Sequence, residues 1–136
     1  MFLTLLNEGQ SVLFARAARL MIEADDIAHE RELAMLEAIG IETGLTELPD
    51  GGTFAEVVQE AADALTDPTQ RNAFLIELAG VAVIDGDEHG AERALLQQLA
   101  DQLGLGERVD EFLAFAHDAR DLADRGRALV TTVEAD

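Results

Sequence analysis

One acidic segment occurs twice in this chain. Asp25-Asp26-Ile27-Ala28-His29-Glu30-Arg31-Glu32 returns sixty positions later as Asp85-Gly86-Asp87-Glu88-His89-Gly90-Ala91-Glu92, with the Asp, the His and the final Glu in register. The flanks keep the same phase. Phe14 matches Phe74, Ala34 matches Ala94, Leu36 matches Leu96, and Gly44-Leu45 matches Gly104-Leu105. Apolar character is kept where identity is not: Ala18 with Leu78, Met21 with Val81, Ile39 with Leu99. A repeat that keeps its polar turn as well as its core suggests that the turn has a task.

The apolar spacing is helical. Phe14, Ala18 and Met21 fall at i, i+4, i+7, and Phe74, Leu78 and Val81 repeat that pattern, so each segment should bury one stripe. Asn7-x-x-Gln10 reads as a capping box for a first helix running to about Ala24. A second helix begins near Ala28 or His29, carries Leu33, Leu36 and Ile39, and stops at Gly44. Leu48-Pro49-Asp50-Gly51-Gly52 is a linker, and Thr53-x-x-Glu56 caps a short helix through Val57, Val58, Ala61 and Leu65. Asp67-Pro68-Thr69-Gln70 starts the next helix, which runs to about Ile84. A fifth carries Leu95, Leu96, Leu99, Ala100 and Leu103 up to Gly104. From Glu107 to about Val133 the pattern fits one long helix or two, with Phe112, Phe115, Leu122 and Leu129 as apolar markers and Gly126 as a break point. No segment alternates with period two. The expectation is an all-α, compact single-domain bundle of about six to eight helices over 1–136. It is built from two pseudo-symmetric helix–acidic turn–helix repeats, about 7–45 and 67–105, with a linker at 46–66 and a C-terminal helical tail at 106–136. Leu129, Val130 and Val133 offer a late apolar face, either to the body or to a second copy. Asp121 and Arg125 are spaced for an i, i+4 ion pair.

Charge narrows the partners. With a formal net charge of −19, the chain repels bare nucleic acid and anionic membrane surfaces and favours cations or a basic protein partner. There is no Cys, which excludes disulfides, thiolate metal sites and a cysteine nucleophile. There is no Lys, which excludes Schiff-base chemistry and a Walker lysine. The single serine, Ser11, lacks a nucleophile-elbow context. No catalytic residue stands out. No apolar run reaches the roughly 20 residues of a membrane span, and the N-terminus lacks a signal-peptide pattern, so a cytoplasmic location without membrane insertion is expected. All-Arg basicity and abundant Ala fit a GC-rich bacterial coding sequence.

The repeated turn is a candidate hard-cation site. Calcium and magnesium take carboxylate, carbonyl and water oxygens. Asp25 with Glu32, and Asp85 with Glu92, place an Asp at one helix end and a Glu on the first turn of the next. Asp26, Asp87, His29 and His89 are the additional candidates. The ligand spacing is not that of an EF-hand, so the expected site is reduced and water-rich, for calcium or magnesium ahead of manganese; no other cofactor is implied. The same residues also suit a purely structural role. His29-x-x-Glu32 and His89-x-x-Glu92 have capping-box spacing, and Asp25 and Asp85 suit Asx turns. On one unbroken helix, Asp–His–Glu at i, i+4, i+7 would instead face one way and suggest a dinuclear carboxylate centre, although such centres use Glu-x-x-His.

Leu20-Met21-Ile22-Glu23-Ala24-Asp25-Asp26 with Glu32 and Gly44-Leu45, and Val81-Ala82-Val83-Ile84-Asp85-Gly86 with Glu92 and Gly104-Leu105, resemble the TerB-like superfamily. That group contains tellurite-resistance protein TerB and the N-terminal domain of the DnaJ-like co-chaperone DjlA. The likeness covers most of 2–106. Asp26 stands where Gly is usual, and Glu88 where an apolar residue is usual. The resemblance implies an all-helical, pseudo-twofold fold. It also implies a small binding or scaffold module in a bacterial stress context such as tellurite resistance, holding divalent cations on its acidic turns. The alternatives are an adaptor that binds a basic partner without metal and a metal-assisted hydrolase.

Overall fold

A computed structural model describes residues 2–23, 30–44, 52–83 and 90–131, without the side chains of 30–33, 35 and 91. Among the described residues the chain is all-α, with no strand. Six helices follow a short 3-10 turn at Leu3–Leu5: α1 (Glu8–Glu23), α2 (Glu30–Thr43), α3 (Phe54–Ala64), α4 (Pro68–Ala82), α5 (Gly90–Gln102) and α6 (Val109–Thr131). A second 3-10 turn, Gly106–Arg108, leads into α6.

The helix starts follow the local chemistry. Asn7 N–H donates to Gln10 Oε1 at 2.9 Å and Gln10 N–H donates to Asn7 Oδ1 at 2.8 Å, a reciprocal capping box. Thr53 Oγ1 accepts from the Glu56 amide at 3.2 Å. Asp67 Oδ1 accepts from the Thr69 amide at 2.7 Å, with Pro68 in the first turn. At the end of α5 the Leu105 amide donates to Ala100 O and the Gly104 amide to Asp101 O. Gly104 at φ +79° supplies the left-handed residue this Schellman ending needs. Gly44, after α2, has φ +78°.

The core is centred on α1 and α4. α1 contacts α2, α3, α4 and α5; α4 contacts α5, α6 and the first 3-10 turn. Phe14 and Phe74 meet edge to face, with ring centroids 5.5 Å apart and planes at 83°. The expected single stripe per helix is too narrow. α1 also buries Ala15, Ala17 and Ile22, and α4 also buries Leu75, Ala79 and Ala82. Both are flanked on several sides, so their alanines are contact surfaces for neighbouring helices rather than spacers. α1 begins at Glu8 and α4 at Pro68, sixty residues apart.

Three further details concern α4 and α6. α4 ends at Ala82 with Val83 as its C-cap (φ −107°, ψ 7°), short of the expected Ile84. α6 is one continuous helix through Gly126, and only its first part packs. Val109, Phe112, Leu113 and Ala116 are buried, whereas Phe115, Leu122, Leu129 and Val130 are exposed. Leu129 and Val130 therefore do not pack on the body, and Val133 lies outside the described residues. The expected Asp121–Arg125 pair is replaced by Asp121 with Arg120 at 3.2 Å. No described helix is long and apolar enough to cross a membrane.

Candidate functional site at the acidic turns

The two turns join the end of α1 to α2 and the end of α4 to α5. Asp25, Asp26, His29, Asp85, Asp87 and His89 lie outside the described residues, as does the side chain of Glu32. The dinuclear arrangement falls on the same residues. Among the described residues no group of three or more His, Asp or Glu is placed to hold a metal. Glu92 is the one candidate ligand whose side chain is placed. It sits in the first turn of α5, 1% exposed, and it has a polar partner. Removing a carboxylate from water costs several kcal/mol unless donors or a cation compensate. The first turn of a helix supplies part of that compensation through unpaired amide N–H groups and the positive end of the helix dipole.

A cation of the protein itself stands at the carbonyl end of α4, at Val83. Arg120, on α6, donates from Nη1 to Val83 O at 3.3 Å and from Nη2 to Asp121 Oδ1 at 3.2 Å. Its Nε is buried with no hydrogen-bond acceptor among the described residues. A guanidinium at the carbonyl end of α4 is favourable by the same dipole argument, with opposite sign. The first turn differs. At the offset position α1 ends in Glu23, exposed and 3.5 Å from Arg19. One turn is thus entered past an acid and the other past a capped carbonyl, an asymmetry the repeated sequence conceals because Arg120 lies outside the repeat.

A second polar feature, which the sequence pattern does not announce, lies where the starts of α1 and α4 meet the end of α3. Gln10, 3% exposed, donates from Nε2 to Ala64 O at 3.0 Å and to Gln70 Oε1 at 2.9 Å. Gln70 Nε2 in turn faces Leu5 O at 3.4 Å. Gln10 thus caps α1, closes the end of α3 and ties α1 to α4, while Gln70 serves the interhelical contact rather than its own helix start. Its one trace in the sequence is that Gln10 and Gln70 coincide at the repeat offset. Elsewhere an apolar groove lies between the first 3-10 turn, α4 and the start of α6, with Phe2, Leu5, Ile76 and Phe112 among its lining. Arg108 packs 4.7 Å over the Phe112 ring there, and no carboxylate or imidazole lines the groove. No protein-family model, curated protein or solved structure matches the chain.

Proposed function

We propose that the chain is a small acidic binding module of the TerB-like type whose repeated turns take a divalent cation, with Glu92 as the buried ligand of the second turn. The observation that carries this reading is the burial of Glu92 on the first turn of α5, where an ion shared with Asp85 and Asp87 would add to the compensation that its polar partner and the helix start already give. Descent of the two halves from one unit is part of the proposal. It is supported by the starts of α1 and α4 at the repeat offset, by Gly44 and Gly104 at nearly the same positive φ, and by the Phe14–Phe74 and Gln10–Gln70 contacts between equivalent positions. Calcium or magnesium is the expected ion. A cytoplasmic, stress-related setting belongs to the same reading.

The test is manganese titration of the whole chain followed by amide NMR, with calcium and magnesium in parallel. Paramagnetic broadening should concentrate at the start of α5, and a saturating ion at about 100 times its Kd should add about 2.7 kcal/mol of stability. Glu92→Gln should abolish both effects. An α5 start that does not respond to about 10 mM metal, roughly ten times the Kd of the weakest extracellular calcium sites, would overturn the reading. A second reading has its own support: the Arg120 guanidinium is held at the Val83 carbonyl, at the end of α4, the chemistry an arginine-bearing partner would offer. In that case the chain is an adaptor, and capture of a basic protein would be salt-sensitive and indifferent to chelators.

A further inference from the structure

The second half of α6 leaves the body of the molecule. From Asp121 to Thr131 every residue except Asp124 is exposed. Along it Phe115, Leu122 and Leu129 recur every seven residues, a spacing that returns to one helix face within about 20°. Leu122 is 64% exposed, Leu129 77% and Val130 76%. Ala119, Gly126 and Val130 lie on one flank of this stripe, and Asp118 and Arg125 on the other.

Charge decides what can cover it. The chain as a whole carries −19, but 117–131 holds Asp118, Asp121 and Asp124 against Arg120, Arg125 and Arg127, so the entire excess lies elsewhere. This is the stretch on which two copies can approach without strong mutual repulsion. Arg120 pairs with Asp121, and Arg127 with Asp124. Asp118 and Arg125 are exposed, and neither has an ion-pair partner among the described residues. In an antiparallel pair of helices like flank meets like flank, so Asp118 of each copy lies nearly level with Arg125 of the other when Leu122 meets Leu122. The small flank of Ala119, Gly126 and Val130 then closes against its own copy. A parallel pair would set the charged flank against the apolar one. We propose that the exposed half of α6 is a self-association surface on which two copies pair antiparallel about Leu122, with Asp118–Arg125 bridges on one side.

The apolar strip amounts to roughly a few hundred Å² per copy, short of the roughly 600–1,000 Å² per partner of a stable interface. The dimer is accordingly weak, with a Kd on the order of 10–100 μM. The inference is independent of the cation reading, because none of its residues lies in the acidic turns.

Sedimentation velocity of the whole chain from about 10 μM to about 1 mM tests it, spanning that Kd. The wild type should pass from monomer to dimer across this range. Leu122→Glu should weaken association at least about tenfold with unchanged circular dichroism. Asp118→Arg should weaken it roughly 3- to 10-fold by placing like charges together, and Asp118→Arg with Arg125→Asp should restore it. A chain that stays monomeric at 1 mM, or a dimer indifferent to Leu122→Glu, overturns the surface. A dimer that loses strength with Leu122→Glu but ignores both charge variants overturns the antiparallel register.

Discussion

Replacing Gln10 by Ala removes a side chain that does three things at once. Its Oε1 accepts from the Asn7 amide, and its Nε2 donates to Ala64 O and to Gln70 Oε1. A net intramolecular hydrogen bond contributes about 0.5–1.5 kcal/mol, and a buried group left without its partner loses more. Asn7 is exposed, so water replaces the first bond cheaply. The other two are part-buried, made by a residue that is itself 3% exposed, so water replaces them less readily. The expected loss is about 2–3 kcal/mol. For 136 residues at about 2.1 cal/mol/K of unfolding entropy each, that lowers Tm by roughly 7–10 °C. Asn7→Ala, which disturbs only the cap, should cost about 1 kcal/mol. Urea unfolding followed by circular dichroism measures both, with an unchanged m-value required. Gln10→Ala and Gln70→Ala should couple by at least about 0.5 kcal/mol in a double-mutant cycle. A Gln10→Ala loss no larger than that of Asn7→Ala, or strict additivity with Gln70→Ala, would refute the view that this glutamine ties α1 to α4.

Other outcomes follow from the same geometry. Phe14→Leu and Phe74→Leu should show a coupling of about 0.5–1.5 kcal/mol in denaturant titrations, the part of the edge-to-face contact that burial alone does not supply. Gly104→Ala forces a Cβ into φ +79° and should lower stability by about 1–2 kcal/mol in the same assay, with no steric clash to add to it. Arg120→Met loses the bond to Val83 O and should cost about 1 kcal/mol in metal-free buffer. If the second turn takes a cation, the same variant should bind manganese several-fold more tightly by electron paramagnetic resonance titration, because a competing positive charge is gone. Unchanged affinity in Arg120→Met would separate Arg120 from the acidic turn.

How far the chain could be read varies from element to element. The all-helical class, the cap at Asn7, the starts at Thr53 and Asp67, and the stop at Gly104 all rest on residues acting within one turn of their own position, where side chain and backbone meet without help from the rest of the fold. That is why short motifs such as Asp67-Pro68 and Leu103-Gly104 were decisive. The wide burial of α1 and α4 was not legible, because Ala15, Ala17, Ala79 and Ala82 look alike on a solvated face and in a close helix contact. Nor was the exposure of Leu122 and Leu129, since an apolar stripe records what a helix can bury and not whether a neighbour reaches it. Of the candidate site, Glu92 stands out by its place in the repeat, but its burial depends on what packs over the start of α5. The Arg120 contact with Val83 and the Gln10–Gln70 bridge each join groups more than thirty residues apart. Local sequence set the helices and their ends, because their energetics close within a few residues. Only the packed bundle decided which polar groups lost their water and had to find one another.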